Sequence, residues 1–541
     1  MEAEYHYYDN DLLEHVEYAN FTSTWYGYDA ARRLTSIEHR RMLDTILRLE
    51  YTYTDNDLVA TITEYDNAGW VATVTFAYDN RGRLIGEVRT GENPYDLTYT
   101  YDQGGNRLTK VNTLNPFESI EVVYHYDIED PETYDSDNNR LVYYETCERS
   151  GTPFFMRGMG GGGGECTPVS TTWYYYNSDG NVTEVFTVKE NPEPGEPQSS
   201  LTRLEYAING QTVTYVLGET WGNGQDYDVT YARQFRYDGA RQRYLNRQLD
   251  PETLEPVPGG DVWSDYDGDE IYGDYIIDGQ TATNLRSFEP GLAKVDPWTN
   301  TGSVNTSYYH GNQIGTTRFM TDSGGTGVSP VVYTAFGEII AGESDRYGYA
   351  GSWGYQTDEA GLFPFLHVGH RYYDPTTGRF LQRDPLGIFA RLNVYLYVGA
   401  SPFSAVDPKG LYPWGSKWDV EKCQGYCQKK GRKGKKGSKT SAAACGFRFK
   451  TCLEKCSEAE FDVGKSDDVP QPPDWDPWED DPTDDFAPPS PSPPSGGGCG
   501  CTGLEAVPVL WVLWILRTRE DRRRRCYDGR SRPGRVRASR K

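Results

Sequence analysis

The sequence predicts a mostly β protein: an antiparallel sheet of hairpins, followed by a small helical, cysteine-bearing segment and a disordered linker. Three observations carry this. Tyrosine is unusually frequent, at 43 residues beside 58 glycines, while only 37% of the 541 residues are apolar and the mean hydropathy is −0.72. Tyrosine and threonine suit pleated, half-exposed surfaces and glycine suits turns, so this balance favours many short strands over helices. An aromatic-Asp step recurs through the N-terminal half, and 541 residues exceed one ordinary core, which calls for several units or an extended repeat.

The repeat occupies residues 1–300. Its steps are Tyr8-Asp9, Tyr28-Asp29, Tyr65-Asp66, Tyr78-Asp79, Tyr101-Asp102, Tyr126-Asp127 and Tyr237-Asp238. The best copies are YDNRGRLIGEV from Tyr78 and YDQGGNRLTKV from Tyr101, with looser ones from Tyr28, Tyr134 and Tyr176. Each reads as strand, turn, strand, with Asp and Gly at the corner and apolar alternation resuming after it. One hairpin cannot bury its own face, so successive hairpins must share a sheet. The stretch Glu145 to Thr167 reads as a flexible insertion. Its Cys147 and Cys166 can staple that loop in an oxidising compartment or stand as unpaired surface thiols.

Residues 301–411 form a second block that ends in RYYDPTTGRFLQRDPLGIFARLNVYLYVGASPFSAVDPKGL, from Arg371 to Leu411. Three Asp-Pro steps punctuate it, at Asp374, Asp384 and Asp407, and the last two stand in matching Asp-Pro-x-Gly turns. Proline presets φ and glycine admits φ > 0 two residues later, so each is a fixed corner carrying a carboxylate. Asn393, Tyr395 and Tyr397 alternate between them as in a strand with one buried face. His367 and His370, three apart on an expected strand, point to opposite faces and read as packing or surface residues, so no metal or cofactor site is expected.

These residues resemble the core segment that closes proteins of the RHS/YD-repeat family, whose form is RYYDPxxGRFxxxDPxG, then NxYxYxxNxP, then DPxGL. Ala400 stands where the family usually has Asn. The upstream NTSYYHGNQIGTTRF and YTAFGE are similar to the family's approach to that core. The resemblance implies that the YD hairpins coil one long sheet into a hollow shell, or part of one, closed by the core. It further implies that the core cuts the chain after the Leu of DPxGL and leaves a variable segment inside the shell. Carried over, Asp384 with Arg383 before it matches the proteolytic aspartate and its arginine, Asp407 precedes the scissile bond, and Leu411-Tyr412 is that bond. Two acids can hydrolyse a peptide if one is ionised to activate water and the other protonated to assist the leaving amine. The plainer reading is that both aspartates only cap turns.

After Leu411 the composition changes. Residues 412–460 are helix-compatible, and Cys423, Cys427, Cys452 and Cys456 stand as two Cys-x3-Cys pairs. That spacing sets both sulfurs on one side of a helix and allows a disulfide-stapled hairpin, with zinc as the lesser reading. Residues 461–498 are an acidic, proline-rich linker. Residues 499–541 join Cys499-Gly-Cys501, an apolar run at 504–516 and an arginine-rich end. This order resembles a MYXO-CTERM-type sorting signal, and the run is otherwise a marginal membrane contact. The chain's formal charge is −26, with −35 of it on residues 1–516, which argues against nucleic acid as a partner of the main body. The start, MEAEYHYYDND, has no secretory pattern and opens inside a repeat, so a longer protein or a misassigned start is expected.

Three functions follow from these features. The chain is a secreted or surface-displayed structural or adhesive shell with an unidentified carbohydrate or protein ligand. Alternatively, it is the C-terminal part of a polymorphic toxin enclosing its own C-terminal segment, or it is a truncated fragment. Residues 412–460 hold no recognisable catalytic set, which favours the first. Aspartate-dependent self-cleavage is the one enzymatic activity the residues offer.

Overall fold

Most repeats are hairpins turned by an aspartate or asparagine of their own. The computed structural model describes residues 3–411 apart from 116, 127–138, 151–165, 208–209, 221–226, 240, 268–269, 297–304, 328–329, 359–361 and 388–391. At Tyr78–Leu84 the Asp79 Oδ1 accepts from the backbone amides of Arg81 and Arg83 (2.9 and 3.0 Å), and Oδ2 accepts from the Arg83 guanidinium. The same capture of the amide four residues on recurs at Asp29, Asp102, Asn177, Asp238, Asn312 and Asp322. A short acceptor side chain that satisfies amides of its own turn makes the corner a local property. Tyr65-Asp66 departs from this pattern: Asp66 caps Ala68 and Gly69 in a tight turn at the opposite end of the strands.

A tyrosine that closes the second strand of a pair has a separate task in many of these units. Its hydroxyl donates to the carbonyl that opens the preceding strand: Tyr53 to Leu34 (2.6 Å), Tyr78 to Val59 (2.9 Å), Tyr101 to Leu84 (2.7 Å), and Tyr126 to Arg107 (2.8 Å). Tyr176, Tyr206 and Tyr266 do likewise with Leu141, Val182 and Arg243. Arginines tie neighbouring turns as well, with Arg83 donating to the Asp102 carbonyl at 2.6 Å. The YD turns thus form one laced rim.

From Ala3–Tyr7 to Thr317–Thr321 the strands make one 24-stranded antiparallel sheet, each pairing with the next in the chain. The sheet therefore runs past residue 300 and takes in Asn305–Gly311 and Thr317–Thr321. It coils, because these last strands return to the first: Asn20 donates to the Thr321 hydroxyl at 2.9 Å, and His39 stacks edge-on to His310 and Phe319. The stretch read as an insertion from Glu145 is partly strand, since Leu141–Ser150 and Cys166–Tyr176 pair and Cys147 is bonded to Cys166.

The segment after Thr321 lies on the apolar face of this sheet. Leu49, Ile62, Phe76 and Tyr99 of the sheet pack with Val332, Phe336 and Ala400, while Tyr124, Leu204 and Tyr215 pack with Phe363, Tyr372 and Leu381. Burial of this kind, at roughly 25 cal/mol per Å² of apolar surface, is what holds the two layers together. A buried ion cluster adds specificity: Glu64 is gripped by Arg89 from the sheet and by Arg318 at 2.9 Å. Burial alone would raise the Glu64 carboxyl, but Arg318 and Arg89 outweigh it and hold it at about 2. Among the described residues no helix is long and apolar enough to cross a membrane. The expected cysteine helices, linker and sorting signal beyond residue 411 lie outside the described residues, as do Tyr412 and the copy at Tyr134.

Candidate functional site

The closing segment seats itself on the laced rim. Arg379 and Asn393 both bond to Asn106 Oδ1 at 2.8 Å, the Tyr395 hydroxyl donates to the Gly180 carbonyl at 2.7 Å, and the Val182 amide donates to Leu381. These partners belong to the turns opened by Asp102 and Asn177. A small three-stranded sheet, Leu366–Val368, Arg371–Asp374 and Arg379–Phe380, then carries the two Asp-Pro-x-Gly corners.

Both corners have the expected geometry. In the first, the Gly387 amide donates to the Asp384 carbonyl at 2.8 Å and the Leu386 amide to Asp384 Oδ1 at 2.8 Å. In the second, the Gly410 amide donates to the Asp407 carbonyl at 3.0 Å and the Leu411 amide to Asp407 Oδ1 at 2.9 Å. The Asp407 amide in turn donates to the Tyr355 hydroxyl at 2.7 Å. Gly410 has φ +61°, and a Cβ there would come within 2.4 Å of the Val368 carbonyl, so only glycine lets this corner lie against the neighbouring strand.

The two remaining oxygens meet on one cation. Arg371 Nη2 is 3.0 Å from Asp384 Oδ2 and 3.2 Å from Asp407 Oδ2, while Nη1 donates to the Val394 carbonyl at 3.1 Å. The guanidinium lies over the Phe380 ring, 3.5 Å from its centroid. All three charged residues are buried, Arg371 and Asp407 at 2% exposure and Asp384 at 7%. Burial pushes the Arg371 guanidinium below its ordinary value, against the opposing pull of Asp384 and Asp407. One guanidinium thus holds two carboxylates side by side in a buried site.

Asp384 and Asp407 are therefore brought together, and Leu411 is attached to one of them through its amide. Arg383 is not the arginine between them: its side chain is exposed, and its backbone amide donates to Asn181 at 3.3 Å. Arg383 stands in the irregular stretch after Arg379–Phe380 and faces solvent, while Asp384 is buried. Arg371 is the cation between the two carboxylates, and motif matching passed over it. Its signal was a charged residue in a strand, Arg371–Asp374, buried at all four positions, which demands acidic partners. His367 is buried with both backbone groups bonded to Gln356, and His370 Nδ1 bonds the Lys409 carbonyl at 2.9 Å, so both serve packing and the second corner.

No family model matches the chain. Among curated proteins it is similar to Toxin subunit YenC1 of Yersinia entomophaga, 30% identical over 237 residues, 39% of this chain and 23% of that protein. It is similar to Toxin protein Tse5 of Pseudomonas aeruginosa at 24% over 379 residues, 63% of this chain and 25% of the other. It also matches the tRNA3(Ser)-specific nuclease WapA of Bacillus spizizenii, 26% identical over 261 residues, 44% of this chain and 11% of the other. The chain spans a quarter or less of the length of these relatives. Among solved structures, the crystal structure of TcdB2-TccC3-TEV covers 75% of this chain and 19% of its own, at 19% identity and a TM-score of 0.46.

Proposed function

We propose that this chain is the closing part of an RHS-type polymorphic toxin, whose core cuts the peptide bond between Leu411 and Tyr412 and leaves the following residues as separate cargo within the shell. The observation that carries this is the meeting of Asp384 and Asp407 on Arg371, with the Leu411 amide held by Asp407. The relatives support the toxin reading over the structural or adhesive shell that the tail composition favoured, since two carry the name of a toxin and one that of a nuclease. Delivery outside the producing cell follows from the same reading.

In the reaction, one ionised carboxylate takes a proton from water, whose oxygen attacks the Leu411 carbonyl carbon. The protonated partner then gives its proton to the Tyr412 nitrogen as the C–N bond breaks, leaving a new carboxyl end and a new amine. Arg371 is a positioning residue that holds the two acids within reach of each other. The Asp384→Asn and Asp407→Asn variants keep shape and turn capping but cannot shuttle a proton. Expression of the full chain, followed by denaturing gel and intact mass, should show a cut after Leu411 in the wild type and none in either variant. A folded, uncut wild-type chain overturns the catalytic reading and leaves both aspartates as turn formers; a cut persisting in Asp384→Asn assigns it to another protease.

A further inference from the structure

The first hairpin carries a second convergence of ligating groups, far from Arg371 in sequence. Strands Ala3–Tyr7 and Leu13–Tyr18 pair so that His6 stands opposite His15 and Glu4 opposite Glu17. Residues two apart on a strand share a face, so two imidazoles and two carboxylates form a single patch. The two rings are parallel, with centroids 4.2 Å apart and planes at 6°, and Trp25 backs His15 at 3.9 Å.

The nitrogens of this patch are under-used. His6 Nε2 and His15 Nδ1 are buried and hydrogen-bonded to nothing. His6 Nε2 is 3.8 Å from Glu4, His15 Nδ1 is 3.9 Å from Glu14, and His15 Nε2 is 3.6 Å from Glu17. These separations are too long for hydrogen bonds. Those from His6 to Glu4 and from His15 to Glu17 are close to the spacing of ligands around a shared ion, since two donors about 2.1 Å from a tetrahedral zinc stand roughly 3.4 Å apart. One ligand atom from each of His6, His15 and Glu17 lies within 4.8 Å of the others.

We propose that His6, His15 and Glu17 bind a divalent transition metal of the zinc class, with Glu4 or water as fourth ligand. Two imidazoles and a carboxylate select such ions over magnesium or calcium. The metal clips the first strand to the second, adding to their backbone pairing and the ring stack. His6 and His15 are nine positions apart in the chain, and the hairpin register brings them opposite each other.

The test is equilibrium dialysis of the full chain against zinc alone, with magnesium as control, on wild type, His6→Ala, His15→Ala and Glu17→Gln. Cysteines elsewhere bind zinc equally in all four, so the readout is the difference between them. The wild type should hold about one zinc more per chain than either histidine variant, and Glu17→Gln should weaken that extra site by about tenfold or more. Zinc should also raise the melting temperature of the wild type more than that of His6→Ala. His6 is half-buried on the first strand, so His6→Ala keeps the fold, and its circular dichroism checks this. Should His15→Ala unfold, His6→Ala and Glu17→Gln carry the decision. Equal zinc content in wild type and His6→Ala overturns the site and leaves a metal-free stack of histidines on Trp25.

Discussion

The Leu411 amide donates to one oxygen of Asp407 across 2.9 Å, while the other oxygen of that carboxylate meets Arg371. A single acid thus links the backbone just before the proposed cut to the buried cation shared with Asp384. Placement of the bond and placement of the acids are therefore coupled, and the two can be separated by mutation.

Replacing Arg371 with methionine should cost about 3–5 kcal/mol at pH 7, because both carboxylates would be left buried without their cation. Urea unfolding of wild type and variant measures it. Arg383→Ala, at an exposed position, should stay within about 0.5 kcal/mol of wild type.

Gly410→Ala should lower the cleaved fraction while leaving both aspartates in place. Its Cβ would meet the Val368 carbonyl at 2.4 Å in a left-handed backbone, so the corner must shift and carry Leu411 with it. Intact mass gives the cleaved fraction. Cutting at the wild-type level would show that this corner does not position the bond.

Glu87 should make stability fall as pH rises toward neutrality. It is fully buried, accepts from the Ala335 amide and the Tyr99 hydroxyl, and burial pushes its carboxyl up to about 7 from 4.5. A folded-state value above the unfolded one means the native state holds the proton more tightly. Its contribution is therefore full below about 4.5 and is lost as pH climbs through about 7. A shift of this size corresponds to roughly 3 kcal/mol. Unfolding midpoints of wild type and Glu87→Gln between pH 4 and 8 should diverge in that sense, with the variant flatter.

Tyr78→Phe and Tyr101→Phe should each cost about 1 kcal/mol, since each removes one hydroxyl-to-carbonyl bond between neighbouring hairpins and little apolar contact. The double variant tests whether the lacing is additive, by denaturant unfolding of the sheet. Values within about 0.3 kcal/mol of zero would show that the hydroxyls bond equally well to water.

What the sequence alone determined is what forms locally. The YD corners, both Asp-Pro-x-Gly turns and the mostly antiparallel β character could be read from it, because an aspartate capturing amides two and four residues on, or a proline fixing φ, needs no distant partner. Other features depend on which segments the coiled sheet brings together. Arg371 finds its acids 13 and 36 residues away, through corners that must first be seated on the rim at Asn106 and Gly180. Arg383, adjacent to Asp384, was the nearer candidate in sequence, yet its side chain is exposed while Asp384 is buried. Only the tertiary structure decided these pairings, because burying a charge is tolerable solely where opposite charges already converge, and that convergence is a property of the coiled sheet with the segment packed on it.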